Sequence, residues 1–567
     1  MPMEVLRRPS SSRARLVTGM TGVAEWWVLL GCLLAVALPA LMIALAALWA
    51  RPDVHPGADQ ALIEIGTGNA AKLNQELGPY SRFGWSHPGP SWYYLLAPLY
   101  RLFGEHSWAM TVAVAAFQAA AAAAIVLTVR RFGARWLSVA AVAVVLAYVG
   151  SLPAEVWRAA WNPYALLLPA GLFVVLSAGA AAGSRVAVVG ALLCGSFLIQ
   201  THIGTTPLVL AMWVGSAVLR VTRSRQRTTF SHHGRPSAQT TRRRERGWLV
   251  LGAVGLAGMW FPPLWQQLTA PMGNLSAVAE FFTAPSEPGH PWRASVSALG
   301  RELAVFPLGR NNAGLPSDIA RLPLSVVAVV VGYAALALGL VVVAWRSDRF
   351  LAALGTLCLI ALPVSAFSVG RIVGEVDDYL VLWQSVLPMV VWLGWAGVLL
   401  RPLVGRWTDR GRRLTAGFVG VALGVLAGVD ARRGTDLPPL SSAASATGVA
   451  QASGALTDPA VVRGPVLVRI ETQSTWTLAA GIVLDLRKRG ADPAVTDDWV
   501  FLFGDQMRSR RPRYVEVIVA SEPDANRMPA SAARVAEVTT AQGPATVLVR
   551  RSTVPLSSGS STVAGLS

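Results

Sequence analysis

Eleven apolar runs, most of them about as long as a bilayer-crossing helix, decide what this chain can fold into. They fall near 26–49, 107–129, 136–153, 164–182, 186–203, 206–221, 248–265, 323–345, 350–369, 380–400 and 414–430. About 20 apolar residues in a helix cross the ~30 Å hydrocarbon layer. Within lipid every backbone N–H and C=O must be satisfied internally, which leaves helices and closed barrels. The runs are continuously apolar rather than alternating, so helices are expected. Charged residues make up only 14% of the chain and gather in islands between the runs. The expected architecture is an all-α polytopic membrane bundle of about eleven transmembrane helices, followed by a small α/β domain.

Orientation follows from the cations, because Lys and Arg accumulate in short cytoplasmic loops. An N-terminus inside puts Arg7, Arg8, Arg13 and Arg15, then Arg130, Arg131 and Arg135, then Arg185, the basic stretch 220–247, Arg346, Arg349 and the segment 401–413 on one side. The segments 51–106, 154–163, 266–322, 370–379 and the C-terminal region then lie outside a bacterial plasma membrane. The first run is longer than the 7–15 residues of a signal-peptide core, so it reads as an anchor. The formal charge of +18 raises the question of nucleic acid. The basic residues, however, flank apolar runs instead of coating a soluble face, and nucleic acid is excluded as a partner. The polar stretch 222–247 reads as a cytoplasmic loop attracted to anionic headgroups. Cys32, Cys194 and Cys358 all sit inside apolar runs. No metal-ligand spacing occurs, so no metal site is assigned, and a divalent ion is neither required nor excluded.

The domain plan is a cytoplasmic tail (1–25), a transmembrane part (26–430) whose first outside loop is 50–106, a Ser/Ala/Pro linker (431–460) and an extracytoplasmic α/β domain (461–567). In the last, GPVLVRIE, RYVEVIVAS and ATVLVRR read as strands and TWTLAAGIVLDLRKRG as an amphipathic helix. Trp26, Trp27, Trp49, Trp108, Trp136, Trp248, Trp265 and Trp345 stand at span ends and read as interfacial anchors. Trp85, Trp92, Trp157 and Trp161 stand in outside loops, where contact with a ligand competes with packing.

The first outside loop carries the most chemistry. Asp59 heads a helix-like run, ADQALIEIGTG, and is either a carboxylate base or a helix N-cap. Ser86-His87-Pro88-Gly89-Pro90 follows, then an apolar stretch, 91–103, too short to span and suited to lying in the interface. Glu64 is five residues beyond Asp59, about 140° around a helix, so the two carboxylates face different ways. Lys72, Arg82, Arg158, Arg301, Arg310 and Arg371 are cations on the same side. Arg158 stands out, between Trp157 and Trp161 in a short loop. Gln200 and His202 stand near the outer end of a span, and Asp377, Asp378 and Tyr379 precede another.

These segments together resemble the GT-C superfamily of integral-membrane glycosyltransferases. The superfamily uses polyprenyl-phosphate sugars and includes protein O-mannosyltransferases, lipid A aminoarabinose transferases and actinobacterial arabinofuranosyltransferases. The resemblance covers about residues 25–430. It rests on an acidic residue just after the first span (Asp59, with Glu64 nearby), on HPGPSWYYLLAPLYRLFG, which is similar to a His-Pro-Pro segment with a juxtamembrane helix, and on the topology. WRAAWNPYALLLP, QTHIG and WFPPLWQQL also look like segments of bacterial members. Two departures are visible. Gln60 follows Asp59 where relatives often carry a second acid, and Gly89 stands where the second proline would.

The resemblance implies transfer of a sugar, outside the plasma membrane, from a polyprenyl-phosphate donor to a cell-envelope glycan, glycolipid or protein. Asp59 would be the base. Glu64, His87, Trp161, Asn162, Gln200 and His202 would orient the acceptor or support the site. Arg158, Arg371, Lys72 and Arg82 would hold the donor phosphate, a group that Arg grips bidentately. One carboxylate suffices, because the leaving phosphate is already a stable anion and only the acceptor hydroxyl must lose a proton. The alternative is a non-catalytic transporter of lipid-linked glycans, or an envelope scaffold of the same fold. A transporter would carry ionisable residues at mid-span. The span centres here are nearly free of them.

Overall fold

The computed structural model describes residues 11–132, 135–225, 238–284, 287–309, 319–406, 409–435, 443–457, 464–511 and 513–551. Residues 1–10, residues 226–237 of the basic loop, Arg310 and residues 552–567 lie outside these ranges. Helices occur at all eleven places where the apolar runs predict them. Among the described residues eight helices are long and apolar enough to cross a membrane: Trp26–Ala50, Ser107–Phe132, Asn162–Ala181, Ile203–Thr222, Gly247–Thr269, Leu324–Ala344, Arg349–Gly370 and Asp378–Leu400. Leu137–Gly150 and Arg185–Thr201 are apolar but shorter, and Asp409–Thr435 is a further helix. The chain is a multi-pass membrane protein with a small sheet domain near its C-terminus.

Interior positions of the bundle carry Trp92, Trp157, Trp383, Tyr148 and Phe173, all fully buried. The Asn162–Ala181 helix is the most enclosed of the eight, whereas Gly247–Thr269 lies at the periphery. The exposed Trp26, Trp27, Trp49, Trp248, Trp265 and Trp345 fit the anchoring expected of them. Trp108 does not. It is buried, with its ring against Phe103 and His106 and the Arg51 guanidinium 6.0 Å from its centroid.

Two short helices on the loop side shape the site. Ala58–Ala71 will be called the base helix, and from Ala61 onward every residue of it is buried. Its first turn carries Asp59, where the positive end of the helix dipole favours a carboxylate. Ser91–Leu102 packs on it, burying Trp92, Tyr93, Leu96 and Tyr100 while Leu95 and Leu102 remain exposed. That amphipathic split matches a helix at an interface.

The C-terminal domain is a five-stranded mixed sheet in the order β2-β1-β3-β5-β4. Its strands are β1 (Val466–Ile470), β2 (Pro493–Val495), β3 (Val515–Ser521), β4 (Ala533–Thr540) and β5 (Gly543–Arg551). β1 runs parallel to β2 and β3, with Val466 opposite both Pro493 and Val515, and β5 is antiparallel to β3 and β4. The crossover between β1 and β2 is the helix Trp476–Lys488, here called the docking helix.

The domain does not begin where its composition predicts. Residues 443–455, expected within a linker, form a helix whose Val449 and Ala452 enter the domain's core. Alanine is the strongest helix former, so an Ala/Ser/Gly stretch with an apolar surface to rest on becomes a helix. The same core takes in Ala61, Leu62 and Ile65 of the base helix.

Candidate active site

The base helix begins at Ala58, with Gly57 as its N-cap and no side-chain capping bond. Asp59 is therefore not the cap. It stands within the first turn and its carboxylate is engaged elsewhere: Oδ1 accepts from the Tyr80 hydroxyl at 2.8 Å, and the Trp161 side chain also hydrogen-bonds to it. Burial raises the Asp59 pKa above the ordinary carboxylate range, and the two hydrogen bonds, which favour the ionised form, oppose that rise. Burial and the neighbouring Asp59 charge raise the Tyr80 pKa in turn, so its hydroxyl keeps its proton and remains a donor.

Tyr80 comes from a small hairpin inside the first loop. Tyr80 bridges Ser86, Ser81 N–H bonds Trp85 C=O at 2.8 Å, and His87 N–H bonds Pro79 C=O at 2.8 Å. Asn274 clips the hairpin from the far side, exchanging two 2.8 Å bonds with the Ser86 backbone. Gly78 and Gly89 allow its close docking. A Cβ on Gly78 would lie 2.6–2.9 Å from three backbone oxygens, and one on Gly89 would lie 2.4 Å from the Gln200 side chain. The glycine that replaces a proline in the sequence motif thus occupies a place with no room for a side chain.

Two cavities meet at Asp59, and Tyr80 and Asn162 also line both. The larger, about 680 Å³, is mainly apolar, with Phe281, Phe282, Phe367 and Leu210 in its walls, and carries Arg82, Arg371, His87 and His202 as polar groups. The second, about 420 Å³, is polar. Gln75, Glu76, Gln266, Asp505, Gln506 and Arg510 line it, three of them from the C-terminal domain.

Arg82 is fixed in the first cavity by Asp377 (3.3 Å) and by the carbonyls of Val373 and Glu375. Arg371 donates to Phe282 C=O at 2.7 Å. Tyr379 lines the same cavity, with its ring 5.2 Å from that of Trp161. The His87 and His202 rings lie 4.9 Å apart, tilted by 33°. Nδ1 of His87 accepts from Ile203 N–H and Nδ1 of His202 from Gly204 N–H, each at 3.2 Å. Both rings are therefore neutral with the proton on Nε2, which leaves Nε2–H as the donor each offers to the cavity it lines. Burial, and secondarily His202, hold the His87 pKa well below its ordinary value.

The structure thus gathers Asp59, His87, Trp161, Asn162, His202, Arg82 and Arg371 around one space. It separates the other four candidates. Glu64 faces away from Asp59, as the helical spacing requires, and lines a distinct cavity of about 210 Å³ together with Arg158. Lys72 is exposed at the far end of the base helix. Gln200 is fully buried, bonding Ser91 and, at 2.9 Å, Met259 C=O, so it ties three segments together. Of the loop tryptophans, Trp85 and Trp161 line the larger cavity, whereas Trp157 is core and Trp92 donates to Ala160 C=O at 2.8 Å. Sequence reasoning passed over Tyr80, Phe281, Trp476 and the 505–510 loop. Tyr80 is 21 residues from its partner, and no local pattern links them. Among the described residues no group of acidic, His or Cys side chains could hold a metal.

No protein-family model matches the chain, and no curated protein matches it. Among solved structures it is similar to ArnT from Cupriavidus metallidurans bound to undecaprenyl phosphate. The identity is 15% and the TM-score 0.46, over 94% of this chain and all of that one. The apo form of the same protein gives 15% and 0.47, over 93% and 98%. At that identity and overlap the likeness assigns no residue of this chain a role.

Proposed function

We propose that this protein is a membrane glycosyltransferase moving a sugar from a polyprenyl-phosphate donor to a cell-envelope acceptor at the outer face of the plasma membrane. The observation that carries the reading is the position of Asp59 in the wall shared by an apolar, cation-bearing cavity and a polar one. A lipid-linked sugar suits the first: its isoprenoid lies along Phe281, Phe282, Phe367 and Leu210, and its phosphate meets Arg82, Arg371 and the two imidazole Nε2–H groups. An acceptor sugar suits the second, where side-chain amides and carboxylates supply hydroxyl partners.

In the reaction the acceptor oxygen attacks the anomeric carbon from the face opposite the phosphate and forms the new C–O bond. The bond from that carbon to the phosphate oxygen breaks, and its electron pair leaves on polyprenyl phosphate. Asp59 takes the hydroxyl proton. A carboxylate offers about four lone-pair sites, and the bonds from Tyr80 and Trp161 leave room for that transfer. The arginine-rich islands on the other side of the spans support the outward placement of the site. The donor class is tested with the purified protein in lipid nanodiscs, offered radiolabelled polyprenyl-phosphate sugars and, separately, sugar nucleotides. Release of polyprenyl phosphate with labelled acceptor is expected only from the first. Use of sugar nucleotides alone would contradict the reading.

A further inference from the structure

We infer that the C-terminal domain is a positioning element of the transfer site: its docking helix, Trp476–Lys488, sets the place of Asp59 by gripping the base helix along its length. The inference rests on Asp59 being the base.

The two helices touch at several points. At the start, the Trp476 ring meets the Tyr80 ring edge-on at 6.1 Å, and Tyr80 is the donor to Asp59. Beside it the Thr477 carbonyl oxygen lies so near Gly57 that a Cβ there would stand 3.1 Å away. In the middle of the docking helix, Gly481 lies between Val449 and the Pro56 carbonyl, where a Cβ would come within 2.5 and 2.7 Å of them. At the end, Lys488 forms an ion pair with Glu64 and Arg487 bonds the Asn69 side chain. Glu64 is 1% exposed and also accepts from Tyr100 and Ser107, each at 3.0 Å. Between these points Ala61, Leu62 and Ile65 share a core with Leu478, Ile482 and Val483.

The grip falls on a strained place. Ala58, immediately before Asp59, has φ +48°, in the left-handed region that a Cβ disfavours. Such a conformation persists only where its surroundings over-determine it. Pro56 and Gly57 precede Ala58, and both are pressed by the docking helix. Glu64 therefore acts through the base helix and not on substrate, and Lys488 and Gly481 are its counterparts across the interface. Its buried carboxylate needs the Lys488 cation, because an ionised group out of water is costly unless paired.

The test uses the full-length protein at equal abundance, varying donor and acceptor concentrations independently. Lys488→Met removes the cation while keeping the chain's bulk, Lys488→Arg restores charge, and Gly481→Ala adds one methyl against the Pro56 carbonyl and Val449 while leaving every charge in place. Lys488→Met and Gly481→Ala are each expected to lower kcat by about 10²-fold, the scale of an ångström's misplacement. Donor and acceptor KM should stay within about twofold, and Lys488→Arg should recover most of the rate. Should Lys488→Met fail to fold, Gly481→Ala carries the same demand. Parental kcat in the variants that fold, or a loss confined to acceptor KM, would overturn the inference. Asp59→Asn in the same series separates the two claims. If it is inactive while Lys488→Met is parental, only the positioning role fails; if it is active, the base assignment fails whatever Lys488 does.

Discussion

At the scale of single residues, the site depends on how Asp59 is kept ionised. Burial raises its pKa and the Tyr80 hydroxyl lowers it again. A base must be deprotonated to act, so the rate should fall as pH drops through the Asp59 pKa. Tyr80→Phe deletes a bond that favours the carboxylate, and the Asp59 pKa then rises. The acid limb of the rate profile should move to higher pH, with the rate recovering toward parental well above it. Rates of transfer measured across pH for both proteins check this, and an unmoved limb would exclude Tyr80 from tuning the base. The imidazole pair follows a related logic. Backbone donors to both Nδ1 atoms fix the tautomer, so each ring is neutral with its proton on Nε2.

Among the elements, the runs that cross the bilayer were legible because each is a long, one-sided composition signal. The apolar runs predict helices at eleven places, and each is helical. The site was half legible. Asp59, His87, Arg82 and Arg371 stood out because a charged or polar residue beside an apolar run is conspicuous, and Glu64 was correctly turned away by helical spacing. Arg158 lies apart from the space around Asp59 for a physical reason: flanking tryptophans drew attention to it, but Trp157 is buried core and Arg158 lines the Glu64 cavity. Strands β2 and β4 escaped reading, one being three residues long and the other largely exposed. The pairing of the 75–80 segment with the 505–510 loop joins residues some 430 positions apart, as in the Gln506–Gln75 bond, and no local pattern encodes it. The hairpin's dependence on Gly78 gives a further expectation. Gly78→Ala would press a methyl onto the carbonyl oxygens of His87, Gly89 and Gln200, an overpacking that typically costs about 1–3 kcal/mol. It should lower the thermal midpoint of the protein in detergent and reduce transfer with either substrate. A parental midpoint would mean that the hairpin docks more loosely than described.

Over the whole molecule, a membrane bundle and a C-terminal sheet domain share one short helix, and the candidate site lies where they meet. One face of the base helix belongs to the bundle's core through Ile63, Ala70 and Ala71, and another to the sheet domain through Ala61, Leu62 and Ile65. Asp59 heads that helix in a wall between an apolar, cation-bearing space and a polar one. The Asp59 carboxylate is half-buried and held by neutral donors, Tyr80 and Trp161, which stabilise it without neutralising it. The most direct test is the transfer rate of Asp59→Asn from a labelled polyprenyl-phosphate sugar in membranes at equal protein abundance. The amide keeps size and polarity and removes a buried charge, so the thermal midpoint should not fall below that of the parent. Transfer should drop by roughly 10²–10⁴-fold, the usual worth of a positioned base. Near-parental turnover would remove Asp59 from the chemistry and contradict the proposed reaction.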